Sequence, residues 1–258
     1  MNDYTPSEMM TIVAARQLTD RITCFVGIGL PSAAANLARQ THAPNATLIY
    51  ESGTIGAKPR TLPLSIGDDE LAVTADTIVP LPEIFNYWLQ GGRVDIGFLG
   101  GAQIDKFANL NTTAIGSYDE PKVRLPGAGG APEIAALANE VFIVMSLKKR
   151  AFVEKLEFIT SVGYFKGGRS RNELGFSGRG PTKVITDLGL LRPDPETKEL
   201  VLSEVYPGIS IEDVKSNCGW DLKVADHVIE TSPPTATELA HLRRLKEITN
   251  EKNRVSGD

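Results

Sequence analysis

One short apolar run that ends in a carboxylate constrains this chain more than anything else in it. Leu48, Ile49 and Tyr50 lead directly into Glu51, Ser52 and Gly53, within the stretch LIYESGTIG at 48–56. Three bulky side chains with no polar alternation suit a strand buried on both faces, the pattern of a parallel sheet covered by helices. In open α/β sheets, ligands bind in the crevice beyond the carboxyl ends of the strands. Glu51 therefore either leaves the sheet for solvent or faces such a crevice, and the residues alone leave both readings open.

The rest of the chain repeats the strand-and-helix theme. ITCFVGIG at 22–29, Val94 to Leu99 and Val141 to Met145 read as further buried strands. Pro31 to Gln40 supplies a helix whose Ala33, Ala34, Ala35 and Ala38 allow close packing on a sheet. Thr5-Pro6-Ser7-Glu8 has the spacing of a capping box with proline in the first turn, so a helix opens there, with Met9, Ile12, Val13, Ala15 and Leu18 as its apolar stripe. Thr235 to Asn250 is helix-like, with Leu239, Leu242, Leu245 and Ile248 near one face. The expected fold class is α/β, an open, mainly parallel sheet flanked by helices. At 258 residues, with no internal repeat and no evident linker, one continuous domain over 1–258 is expected, with 251–258 as a frayed tail.

Charge and cysteine usage narrow the function classes. A formal net charge of −5 gives no electrostatic basis for binding nucleic acid or an anionic membrane. Cys24 and Cys218 lie far apart, and His42, His227 and His241 are scattered, so no metal-ligand spacing exists and no metal site is expected. Reduced thiols, a polar acidic start without the features of a signal peptide, and no long apolar window together predict a cytoplasmic protein with no membrane span.

Several segments carry weaker signals. Gly27-x-Gly29 follows a strand and precedes a helix, but Leu30, Pro31 and Ser32 come next, so the third glycine of a dinucleotide fingerprint is missing. The turn-rich segment after Glu51 reads as a long loop over the cleft, in which Lys58 and Arg60 face solvent or attract a phosphate or carboxylate. The helix after Asp76, with Ile84, Phe85, Tyr87, Trp88 and Leu89, stops at Gly91-Gly92. Gln103, Asp105, Asn109 and Asn111 suit either a ligand loop or an internal hydrogen-bonded network. LPGAGG at 125–130 feeds a helix and offers backbone N–H groups to an oxygen anion, or is simply a tight packing turn. Lys148, Lys149 and Arg150 read as a solvated cap, with a ligand's phosphate as the other possibility. Arg169, Arg171 and Arg179 lie in a glycine-rich run, 163–180, read as a mobile basic loop or a pairing surface.

Taken together and in order, VGIGLP at 26–31, YESG at 50–53, GGAQID at 100–105, NLNTTAIG at 109–116, PKVRLPGAGGA at 121–131, SVGY at 161–164, ITDLG at 185–189 and VYPGIS at 205–210 resemble the small, or B-type, subunit of family I CoA-transferases of the glutaconate CoA-transferase type. That resemblance implies the CoA-transferase (NagB/RpiA-like) fold. It makes Glu51 the nucleophile, attacking an acyl-CoA and carrying acyl anhydride and then CoA thioester intermediates. It sets Gly127, Gly129 and Gly130 on the oxyanion and CoA-thioester side, with Ser52, Gly53, Gln103 and Asp105 shaping the pocket. It implies no tightly bound cofactor, coenzyme A entering as acyl-CoA co-substrate, with a small carboxylic acid as the other reactant. It also implies a homologous A-type partner subunit, in a heterodimer or a higher assembly of such pairs. Related branches with ring-cleaving hydrolase or decarboxylase activity depart from the pattern at the glutamate, and a non-catalytic ligand-sensing or assembly module is the alternative of another class.

Overall fold

The computed structural model describes residues 3–255. The chain runs α1 (Pro6–Arg16), β1 (Thr23–Phe25), α2 (Leu30–Gln40), β2 (Thr47–Ile49), β3 (Thr54–Ile55), α3 (Asp69–Thr74), β4 (Thr77–Ile78) and α4 (Leu81–Glu83), which passes into a π-helical turn over Ile84–Leu89. It continues with β5 (Ile96–Leu99), β6 (Gln103–Ile104), β7 (Leu110–Asn111), β8 (Ala114–Gly116), β9 (Pro121–Arg124), α5 (Ala131–Leu137) and β10 (Glu140–Val144). The last elements are α6 (Ser170–Glu173), β11 (Pro181–Ile185), β12 (Gly189–Pro193), β13 (Leu200–Val205), α7 (Ile211–Asn217), β14 (Lys223–Glu230) and α8 (Ala236–Val255). Its contacts gather into two compact units: residues through Phe98 together with those from Pro233 on, and Leu99–Ser232.

In the first unit the strand order is β5-β1-β2-β3-β4. β1 pairs parallel with β2 and β5, whereas β3 folds back antiparallel on β2 and β4 on β3. The expected apolar runs supply the parallel centre: Cys24, Phe25, Leu48 and Ile49 are buried. The capping box at Thr5 and Glu8 forms with both of its bonds, and Met9, Ile12, Val13, Ala15 and Leu18 are buried. Without side chains beyond Cβ, the buried alanines of α2 let that helix pack against α1 and α8. Arg16 holds Glu238 of α8 through two N–H donors, each at 2.7 Å, and Arg243 Nε donates to Glu8 Oε1 at 2.8 Å.

The segment after Glu51 is the expected loop over 57–68, but its two ends join regular elements. Thr54–Ile55 forms β3, and Asp68 caps α3 by accepting the Glu70 N–H. The expected tail also changes, because α8 continues through Val255. Lys252 lies 3.6 Å from both Asp68 and Glu70, which ties down the final turns. Residues 256–258 lie outside those described.

In the second unit the order is β14-β13-β12-β11-β10, with β10 and β11 parallel, β12 antiparallel to both neighbours, and β13 and β14 parallel again. β6 pairs with β7 and β8 with β9 in two small antiparallel sheets. This is an α/β fold with mixed sheets flanked by helices, the parallel strands being the most apolar ones. No helix among the described residues is long and apolar enough to cross a membrane, and no cluster of three metal-ligating side chains is found there.

Candidate active site

Glu51 occupies a turn rather than an open loop. The Tyr50 N–H donates to the Thr54 carbonyl, and the Gly53 N–H donates to the Tyr50 carbonyl, each at 3.0 Å. Glu51 and Ser52 therefore fill the two central positions of a four-residue turn joining β2 to β3. Gly53 has φ +107°, and a Cβ added to it would lie 2.0 Å from the Val79 carbonyl oxygen. Only a residue without Cβ lets the two backbones come this close. The same contact pins the turn, since the Val79 N–H donates to the Gly53 carbonyl at 3.0 Å.

Beneath the turn, Tyr50 is fully buried and its hydroxyl lies 3.0 Å from Ser32 Oγ of α2. Asn36 Nδ2 donates to the Ser32 carbonyl at 2.9 Å. Burial pushes the Tyr50 phenol up to about 12, so it stays protonated and serves as an anchor. Sequence reading missed this anchor. Its signal was a tyrosine ending a buried strand, where the hydroxyl needs a partner. Glu51 is half-buried, and no hydrogen bond or ion pair among the described residues reaches its carboxylate. Next to it, the shielded hydroxyls of Ser52 and Thr54 have no hydrogen-bond partner among the described residues.

The glycine turn belongs to the second unit. Gly127 and Gly129 take φ +107° and +51°, with open space where a side chain would stand, and Gly130 caps α5. The Gly127 N–H donates to the Thr112 carbonyl at 2.9 Å and the Leu125 N–H to Thr113 at 3.0 Å. The N–H groups of Gly129 and Gly130 have no acceptor among the described residues.

Gln103 and Asp105 support the segment that holds this turn. Asp105 is buried and its Oδ1 accepts the N–H groups of Phe107 and Asn109 at 2.9 and 3.0 Å. Burial raises its carboxyl above the ordinary value, against the bonds from Asn109 that lower it. Asn109 in turn accepts from Gly163 and Phe165 through Oδ1, so the choice between ligand loop and internal network resolves to a network. Gln103 Oε1 accepts from Asn111 Nδ2 at 3.0 Å, and Asn111 Oδ1 accepts the Thr113 N–H at 3.0 Å.

Lys148, Lys149 and Arg150 are exposed, as expected of a solvated cap, and Lys148 and Arg150 also border a cavity. Its volume is about 450 Å³, and Gly101, Val144, Met145 and Ser146 line it too, just past the carboxyl end of β10. Neither Lys148 nor Arg150 has an ion-pair partner among the described residues. In the 163–180 run, Arg171 is 3 % exposed and donates to the carbonyls of Gly163, Ala135 and Ser177 at 2.8–3.0 Å. That residue clamps the run onto α5 instead of presenting charge to a partner. Burial lowers its guanidinium pKa from the ordinary value.

The profile of the coenzyme A transferase family matches residues 7–217. The chain is 58 % identical to the B-type subunit of 3-oxoadipate CoA-transferase from Pseudomonas knackmussii over 95 % of both chains. It is 38 % identical to the B-type subunit of glutaconate CoA-transferase from Acidaminococcus fermentans, over 92 % of this chain and 91 % of that one. The crystal structure of glutaconate coenzyme A-transferase from Acidaminococcus fermentans superimposes with a TM-score of 0.88 at 36 % identity, covering 93 % of this chain and 94 % of that one.

Proposed function

We propose that this chain, which belongs to the coenzyme A transferase family, is a B-type subunit that moves CoA from an acyl-CoA to a carboxylic acid through Glu51. The observation that carries the reading is the Glu51 carboxylate itself, held on a pinned turn, half-buried and without a partner among the described residues. A carboxylate tied into an ion pair would lose nucleophilicity, and one free in bulk water would be masked by solvation.

In the proposed sequence, a Glu51 oxygen attacks the acyl-CoA carbonyl, the C–S bond breaks, and an acyl–Glu51 anhydride forms with release of CoA thiolate. The thiolate attacks the Glu51 carbonyl of the anhydride, giving a glutamyl-CoA thioester and the free donor acid. The acceptor carboxylate then attacks that thioester and releases the thiolate again. Attack of the thiolate on the acceptor's acyl carbon yields the new acyl-CoA and restores the Glu51 carboxylate. Each addition places charge on a carbonyl oxygen, and preorganised N–H groups stabilise such charge strongly. The unclaimed N–H groups of Gly129 and Gly130 are the proposed donors, with Gly127 giving the turn its left-handed bend. Ser52 and Gly53 set the direction of Glu51, whereas Gln103 and Asp105 act through the network that supports the glycine turn.

A homologous A-type subunit is the proposed partner, since both relatives are named as the B-type member of their enzymes. The 58 % relative favours a dicarboxylic acid of the 3-oxoadipate kind as acceptor. Intact-protein mass spectrometry of the paired subunits with acyl-CoA tests the reading: a CoA-sized increase on this chain is expected, removed by borohydride and missing in Glu51→Gln. A folded pair that shows no such adduct across a broad acyl-CoA panel would sink the assignment, and C–C cleavage products without transfer would select the hydrolase branch.

A further inference from the structure

Lys58 and Arg60, read from the sequence as solvated or anion-attracting, do not stand alone. In the first unit they meet Arg39 from the last turn of α2 and Arg244 from α8 around one cavity of about 220 Å³, floored by Leu245 and Ile248. Lys58 is satisfied by Asp76, and the backbone N–H of Arg60 donates to Glu70. The guanidinium groups of Arg39, Arg60 and Arg244 make no ion pair or hydrogen bond among the described residues. Arg39 Nε is shielded from water and has no acceptor among the described residues.

Three unpartnered guanidinium groups around one small cavity repel one another, most strongly where water is partly excluded. The chain has 32 acidic residues, yet none lines this cavity. Guanidinium forks match the oxygens of phosphate, and an anion shared among them would relieve the repulsion and satisfy Arg39 Nε. The volume suits a phosphoryl group with a short ester stub and is too small for a whole nucleotide.

We propose that this cavity is a phosphate-binding site, with Arg39, Arg60 and Arg244 as its donors. Its source is either a phosphate of coenzyme A or free inorganic phosphate. The coenzyme A arm rests on the transferase reading, and the inorganic arm does not.

The test titrates the full chain and its Arg60→Gln/Arg244→Gln double variant calorimetrically with inorganic phosphate, CoA and 3′-dephospho-CoA at constant ionic strength. Both substituted side chains are exposed and unbonded, so the double variant keeps the fold, which circular dichroism checks. Phosphate is expected to bind the wild type and to bind the double variant at least about tenfold more weakly. Arg39→Lys, which keeps the charge without the fork, is expected to weaken phosphate binding while leaving the phosphate-free melting temperature near that of the wild type. A parallel loss for CoA but not for 3′-dephospho-CoA assigns the site to the 3′-phosphate of the substrate. A loss confined to inorganic phosphate assigns it to the free anion. Absence of binding of either ligand to the wild type at low-millimolar concentration, or equal binding by the folded double variant, overturns the proposal. Glu51→Gln retains the binding, so failure of the Glu51 adduct experiment leaves this result standing.

Discussion

Replacing Gly53 by alanine should cost far more than the loss of a flexible residue, and the structure separates the contributions. At φ +107° any side chain is strained, by about 1–2 kcal/mol for a left-handed conformation. The new Cβ would also sit 2.0 Å from the Val79 carbonyl oxygen, a backbone atom that cannot swing away. Overpacking of this kind costs about 1–3 kcal/mol, and the separation it forces would break the 3.0 Å hydrogen bond from Val79 to Gly53, worth about 0.5–1.5 kcal/mol. The sum, about 2.5–6.5 kcal/mol, is a large part of the roughly 5–15 kcal/mol by which a folded domain is stable. Gly92→Ala is the matched control, because Gly92 has φ +69° with nothing near its absent Cβ and should lose only the strain. Urea unfolding followed by circular dichroism compares the two variants. Should Gly53→Ala prove as stable as Gly92→Ala to within about 0.5 kcal/mol and form the Glu51 adduct at wild-type rate, the pinned-turn reasoning is wrong.

Two further outcomes follow from the same geometry. Arg171→Leu strips donors from the buried carbonyls of Ala135 and Gly163 and from that of Ser177, and urea denaturation should show a loss of about 2–5 kcal/mol; a change under about 0.5 kcal/mol would remove the clamp from the account. Acid stability should fall as two carboxylates gain protons. The Arg243 hydrogen bond holds Glu8 at about 2, and Arg16 and Thr235 bring Glu238 to about 2 against the burial that pushes it up. Both folded values lie below the ordinary 4.5, so the unfolded chain binds more protons in this range. Their stabilisation is complete above about pH 4.5 and disappears as pH falls toward about 2. The urea midpoint followed through that window should decline more shallowly in Glu238→Gln, and an unchanged slope would count against these pairs.

Much of the fold was legible because the local signals agreed with one another. Thr5 and Glu8 stand at capping-box spacing, and the apolar runs around Cys24, Leu48, Ile96 and Phe142 have no polar alternation, so strand and helix assignments there needed no tertiary information. The β3 turn was harder, because Thr54 and Ile55 become a strand only through pairing with Ile49 and with Thr77–Ile78. Asn109 showed that a polar group would be buried but not what it would bind, since its partners Gly163 and Phe165 lie more than fifty residues onward. Arg171 left no trace at all: an arginine among glycines looks mobile until three carbonyls converge on it. Glu51 was nameable as a nucleophile only through resemblance, since nothing local distinguishes a reactive carboxylate from a solvated one.

The unit that carries Glu51 is drawn from two stretches of chain that lie far apart in sequence. Besides its capping bond from Thr5, Glu8 is held by Arg243, and Arg16 by Glu238 and the Pro233 carbonyl, so these contacts reach across residues 99–232. Joining stretches separated by that much chain carries a loop-closure entropy, which the packing of α8 on α1 and α2 must offset.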